Sequence, residues 1–409
     1  MTGDIRMRGF RDRTEVAQAV AMVDAATGPL AEERVAVTSA AGRVLARDVV
    51  APADVPGFAR AAMDGYAVIA EETFGATPHD PRPLRVAGES FPARPASVRV
   101  SAGLCVRIMT GAPMPDGADA VVPFEQVEAR DDWARIAAPV PPGKNVGQIG
   151  EDVQAGSTLL RAGRLLRPQD AGALSAAGCA EVAVVRRPKV ALVMTGDELL
   201  PPGAPPAGYR IADANSPMLR ALAERDGALP LAPAYVRDDA AAVRRALLGA
   251  AEAADCVLVS GGSSVGAEDH APGVLAREGS VDFHGVAMRP SSPAGMGRMK
   301  GTPVFLLPGN PVSCLCAYDF FAGRALRRLG GRDPRWPYRP VTLPLLRKIS
   351  SALGRTDYAR VRVTEGGVEP LAIRGAAILT STTRADGFVV VPQDVEGHAG
   401  GETVTVWLY

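Results

Sequence analysis

Between residues 188 and 331, short runs that are apolar at nearly every position alternate with longer amphipathic stretches. The runs are KVALVM (189–194), CVLVS (256–260) and VFLL (304–307), and the stretches between and after them predict helices over 217–226, 240–254 and 312–329. A strand apolar on both sides must be covered on both faces, so the pattern predicts a parallel sheet between two helical layers. Upstream, Val16, Val20 and Val23 recur at helical spacing behind Thr14, a residue able to cap, until Gly28-Pro29 stops the run. Residues 49–141 change texture to short β-rich runs broken by Pro and Gly, such as PRPLRVAGE and GLCVRIMTGAPMP, and a mixed pattern resumes over 142–187. After the proline-rich RDPRWPYRP, alternating YARVRV, GFVVVP and ETVTVWLY predict a small C-terminal β-barrel. The expectation is a multidomain α/β plus all-β chain.

Length supports that division, because 409 residues exceed what one hydrophobic core organises. Lys plus Arg and Asp plus Glu both number 45, so no net field draws the chain to nucleic acid or to a membrane surface. An anionic ligand must therefore be bound by local groups. Five cysteines without a CxxC pair point to reduced thiols and a cytoplasmic setting, and four scattered histidines suggest no zinc site. No apolar run approaches the roughly 20 residues of a membrane span.

Each apolar strand of the 188–331 region runs into an unusual loop: TGDELL after KVALVM, GGSSVGAEDH after CVLVS, and PGNPVS after VFLL. In an open α/β sheet the carboxyl ends of the strands form the binding crevice. Gly261, Gly262 and Gly266, with Ser264 among them, would let main-chain N–H groups face a phosphate. Asp197, Glu198, Glu268 and Asp269 would repel that phosphate unless a divalent cation lay between, and Mg²⁺ is commonly shared by one or two carboxylates and substrate phosphates. Each loop alone has a plainer reading: GGSSVG as a tight turn, Asp-Glu as macrodipole-favoured residues, and Pro308-Gly309-Asn310-Pro311 as a rigid turn. Their shared address at strand ends argues for one site.

The wording of the loops, together with AMDGYAV (62–68), RIMTGAPMPDGADAVVPFE (107–125) and GEDV (150–153), closely resembles the molybdopterin molybdenumtransferases, the MoeA and gephyrin E-domain family, from about residue 10 to 409. The resemblance implies a homodimer of four-domain subunits: a discontinuous N-terminal domain (1–48 and 142–187), an inserted β-rich domain (49–141), a three-layer molybdopterin-binding domain (188–331) and a C-terminal β-barrel (332–409). It implies insertion of molybdate into adenylylated molybdopterin with Mg²⁺ and release of AMP. Molybdoenzymes and other cofactor-biosynthesis proteins are the implied further partners. Motif by motif, Asp64, Thr110, Asp152, Glu198, Asp238 and Asp269 fall on the family's functional positions, the last three toward Mg²⁺ and pterin, the first three where molybdate approaches. Gly261, Gly262, Ser264, Gly266, Arg289, Pro308, Gly309, Asn310 and Pro311 are the implied substrate-binding positions. The resemblance further implies that a partner subunit's N-terminal domains cover the crevice.

The basic stretch that family members carry after the glycine loop is thinned here to Arg289, with Gly285 and Ser292 at positions usually basic; Gly147 and Gln148 stand where arginine is usual. Two lost cationic donors would remove about 3 to 6 kcal/mol of binding, roughly a hundredfold to ten-thousandfold in affinity, unless others such as Arg298 or Lys300 replace them. A non-catalytic paralogue that binds or delivers molybdopterin or the finished cofactor is the alternative expectation.

Overall fold

The computed structural model describes residues 13–262, 269–372 and 375–409, which form two compact units. Unit 2 comprises residues 34–41 and 47–183, and unit 1 the remainder. In unit 2, a six-stranded sheet runs in the order Ala120–Pro123, Gly65–Val68, Leu104–Ile108, Arg82–Ser90, Trp133–Ile136, Val127–Arg130. Its two faces bury separate clusters, one around Tyr66, Val68 and Ile136, the other around Ala67, Val106 and Val121. Neighbouring residues pointing into opposite clusters are what a pleated strand demands.

Unit 1 contains the expected doubly covered sheet. The parallel strands Leu229–Pro230, Lys189–Thr195, Cys256–Ser260 and Thr302–Leu307 lie side by side, and the antiparallel Gly295–Met299 and Ser280–His284 extend one edge. Val190, Leu192 and Met194 pack on one face with Leu219 and Ala223 of helix Asn215–Arg225. Ala191 and Val193 pack on the other with Val243, Leu247 and Ala251 of helix Ala240–Ala253. Those three helix residues recur at every fourth position, the stripe an amphipathic helix needs to lie on a sheet.

The C-terminal part contributes five strands to a six-stranded sheet and adds the short pair Ile349–Ser350 and Gly397–His398, around a core of Ile349, Val361, Val389, Val391 and Val406. Strand Met288–Arg289 joins this sheet beside Thr356–Thr364, in parallel, with Arg289 opposite Asp357.

Three local expectations change. Thr14 caps nothing: helix Val16–Ala26 begins without a side-chain cap, and the Thr14 N–H donates to the Gly285 carbonyl at 2.9 Å while its own carbonyl accepts from Ala287 at 2.8 Å, so tertiary pairing occupies its backbone. The helix expected over 217–226 begins two residues earlier, at Asn215, for a reason that bears on the site. The helix expected over 312–329 is interrupted by a π-helical turn at Tyr318–Ala322, all five residues of which are buried.

Candidate functional site

The strand ends place the loops together. Thr195 pairs with Val236 in parallel register, so Gly196–Glu198 and Arg237–Asp239 leave the sheet side by side. The Asp197 N–H donates to Asp238 Oδ2 at 3.2 Å and the Asp238 N–H donates to Asp197 Oδ1 at 3.4 Å, which locks the two acidic loops to each other. Asp239, the second acid of VRDD, is spent on helix Ala240–Ala253, its carboxylate accepting the Ala242 N–H at 2.8 Å; that bond holds its carboxyl below the usual range. The Glu198 carboxylate folds back over Gly196, where a Cβ would lie 2.6 Å from Glu198 Oε2.

Gly261 and Gly262 follow strand Cys256–Ser260 with φ of +92° and +54°. A Cβ on Gly261 would meet the Thr195 carbonyl oxygen at 2.3 Å, so bare backbone is required there by packing as well as by conformation. The Gly261 N–H donates to the Leu307 carbonyl at 3.3 Å, tying this turn to the start of the Pro308–Pro311 loop. Gly309 approaches the same turn, its Cβ position lying 3.5 Å from Gly261 Cα. Ser264, Gly266 and Glu268 lie outside the described residues; Asp269 sits half-buried just ahead of helix Ala271–Glu278.

No group of three or more His, Cys, Asp or Glu among the described residues is arranged to hold a metal ion, so Glu198, Asp238 and Asp269 do not form a ready cage. Paired loops carrying Asp197 and Asp238 do fit the other mode of Mg²⁺ binding, in which one or two carboxylates share the ion with ligand phosphates.

In unit 2, Asp64 and Thr110 are brought together: Asp64 Oδ1 accepts both the Thr110 N–H at 2.7 Å and the Thr110 hydroxyl at 2.8 Å. The N–H first and the hydroxyl second hold the exposed carboxyl below its ordinary pKa. Gly65 opens a buried strand, and its Cβ would fall 2.0 Å from the Val122 carbonyl oxygen. Strand Arg60–Ala61 pairs with Val146–Gly147, with Arg60 directly opposite Gly147 and its guanidinium 3.8 Å from Glu151. A cation thus stands beside the position where arginine was expected and glycine is found. Asp152 is exposed and donates its N–H to the Val55 carbonyl at 3.0 Å.

Arg289 lines a cavity of about 530 Å³ with Arg355, Ser350 and Ser351. Arg289 bonds to the fully buried Asp357; Arg355 Nε lies 3.3 Å from the other carboxylate oxygen, and the Ser351 hydroxyl donates at 2.8 Å. Two guanidiniums against one carboxylate leave a net positive wall. Arg298 and Lys300, considered as replacements from the sequence, pair instead with Asp282 and Glu252, and neither lines the cavity. Arg355 was invisible to the sequence reading, because no local spacing links it to Arg289. Asp213 and Asn215 were also missed, although Asp-x-Asn-Ser ahead of an apolar run is a helix-start signal.

A doubly wound α/β sheet with glycine- and acid-bearing loops at its strand ends, accompanied by β-rich parts, defines a multidomain α/β protein with its candidate site at the strand ends. Family models match the "MoeA N-terminal region (domain I and II)" over residues 14–178, the "Probable molybdopterin binding domain" over 191–328 and the "MoeA C-terminal region (domain IV)" over 342–409. A molybdopterin molybdenumtransferase 2 of Mycobacterium tuberculosis is 38% identical over 385 residues, covering 91% of this chain and 94% of its own. A molybdopterin molybdenumtransferase of Haemophilus influenzae is 33% identical, covering 92% and 94%. The crystal structure of the molybdopterin biosynthesis MoeA protein from Pyrococcus horikoshii superposes with a TM-score of 0.81 at 31% identity, covering 97% of this chain and 100% of the other. The chain belongs to the MoeA family of molybdopterin molybdenumtransferases, enzymes of molybdenum cofactor biosynthesis.

Proposed function

We propose that this chain inserts molybdate into adenylylated molybdopterin and releases AMP, with Mg²⁺ bound between protein and substrate. The observation that carries the proposal is the packing of the two-glycine turn, the Asp197–Asp238 loop pair and the Pro308–Pro311 loop at one sheet edge, in a chain of this family. Mg²⁺ would be held by one or two of Glu198, Asp238 and Asp269 and would supply charge neutralisation where the adenylyl phosphate leaves. The protein's own part is to place that phosphate: Gly261 spends its N–H on Leu307, so Gly262 is the turn's donor among the described residues. Pro308, Gly309, Asn310 and Pro311 form the opposite wall, with Ser264 and Gly266 assigned to the phosphate side by the motif.

Acids alone repel an oxyanion, whereas the Arg289–Arg355 cavity attracts one, and this supports molybdate capture by Arg289 and Arg355. By motif, Asp64, Thr110 and Asp152 are assigned to molybdate in this proposal. The four-domain division, a homodimer and a cytoplasmic location belong to it too; no helix among the described residues is long and apolar enough to cross a membrane.

The test is AMP release from adenylylated molybdopterin, molybdate and Mg²⁺ by the purified chain, followed by activation of an apo-molybdoenzyme. Turnover above a Glu198→Ala control is expected. AMP no higher than in that control, together with tight pterin binding, would instead establish the delivery reading.

A further inference from the structure

Asn215 joins the glycine turn to the Pro308–Pro311 loop. Its side-chain Nδ2 donates to the Gly309 carbonyl at 2.7 Å and to Ser260 Oγ at 2.9 Å. A carbonyl can only accept, so the amide's NH₂ must face Gly309, which fixes the orientation of the group. Ser260, at the last position of its strand, lies 3.8 Å from the buried Cys314 Sγ, which continues the polar chain inward.

Asn215 is itself held. Asp213 Oδ1 accepts the N–H groups of Asn215 at 2.8 Å and Ser216 at 3.1 Å, which starts the helix at Asn215 rather than at Pro217. Asp213 Oδ2 accepts the Tyr235 hydroxyl at 2.8 Å, and Ser216 Oγ lies 3.2 Å from the same hydroxyl. Tyr235 pairs with Met194 in the sheet, so the network runs from the acidic loop pair to the glycine turn.

Stability alone does not account for this arrangement. Asn215 is 6% exposed and its Oδ1 is buried without a hydrogen-bond partner, as is the hydroxyl of Thr195, 3% exposed, against which the Gly261–Gly262 turn is wrapped. An orphaned buried polar atom costs free energy that an apolar side chain would spare. What the amide provides is a fixed separation between two loops.

We propose that Asn215 is a positioning residue of the strand-end site, its carboxamide setting the spacing of the Gly261–Gly262 turn and the Gly309 loop, with Asp213 and Tyr235 setting Asn215. The kinetic arm of its test rests on the proposed function; a second arm does not. Amide hydrogen exchange in the full chain should rise about tenfold at Gly261 and Cys314, whose N–H groups bond the Leu307 and Asn310 carbonyls at the two loops, in Asn215→Ala, while the strands Cys256–Ser260 and Thr302–Leu307 keep their protection. Asn215→Asp, which sets a carboxylate against the Gly309 carbonyl, should behave alike, and Ser260→Ala, which removes one of the two bonds, should show a smaller rise. kcat/KM for AMP release should fall about tenfold, chiefly through KM.

Unchanged exchange at the two loops in a folded Asn215→Ala protein would overturn the proposal. So would loss of protection spread evenly over every strand, which marks a purely structural residue. Wild-type chain that releases no AMP refutes the functional reading and leaves the exchange result to decide this one.

Discussion

Asp64 illustrates what one residue can reveal. Its carboxyl accepts two hydrogen bonds from Thr110, and both favour the charged form. The folded pKa is depressed, so the interaction's contribution is present above the unfolded value near 3.9 and fades as pH falls through the folded value. Thr110→Val removes the hydroxyl and keeps the N–H; a carboxyl ¹³C titration should show the Asp64 pKa rising while remaining below the ordinary value. No movement would show that the hydroxyl bond is not formed in solution.

Asp319 shifts the other way. Complete burial pushes its carboxyl up to about 6, although Arg225 at 3.4 Å and the Tyr338 hydroxyl at 3.0 Å oppose the shift. A raised acid pKa makes the native state bind more protons, so this group's contribution falls as pH rises from about 4 to 6, by about 3 kcal/mol, and stays low above that. Asp319→Asn lacks the titration, so the stability advantage of wild type over Asn should grow between pH 7.5 and pH 5 in denaturant melts. The loop acids stand in recognisable motif wording, but Asp319 does not, because its environment comes from Arg225 and Tyr338, which are distant in sequence and meet only in the fold.

At the scale of elements, the strand-end loops were legible because glycine and proline carry backbone geometry in their identity. Gly261 and Gly309 test how far that reading goes. Gly261→Ala forces a side chain into φ of +92° and against the Thr195 carbonyl, and such strain costs on the order of 1–3 kcal/mol. Gly309→Ala meets only an ordinary contact at 3.5 Å. Gly261→Ala should therefore lower the melting temperature by several degrees and Gly309→Ala should leave it nearly unchanged; equal effects would mean that the turn relaxes around a Cβ. The cation-lined cavity was not legible, since Arg289 and Arg355 meet only when strand Met288–Arg289 adds to the C-terminal sheet. Long-range pairing leaves no trace in local spacing. For the same reason the sequence suggested replacements for the thinned basic stretch in Arg298 and Lys300, which are near in the chain and engaged elsewhere.

For the whole molecule, charge balance sets how a doubly anionic reaction begins. With 45 cations against 45 anions the protein has no net field, so under the proposed function capture of adenylylated molybdopterin and molybdate would rely on groups a few ångströms from the ligand, such as Arg289 and Arg355. Short-range, partly buried pairs are weakly screened, whereas steering over distances beyond about 10 Å is lost near 0.1 M salt. Raising ionic strength from about 0.05 to 0.3 M should consequently change kcat/KM by less than the roughly tenfold that marks even weak steering. Arg355→Ala should raise the KM for molybdate by about tenfold or more at both salt concentrations, the loss of one charge-assisted hydrogen bond. If kcat/KM instead fell a hundredfold with salt in the wild-type chain, the balanced totals would conceal a strongly cationic face around the crevice. The local account of anion capture would then give way to long-range attraction.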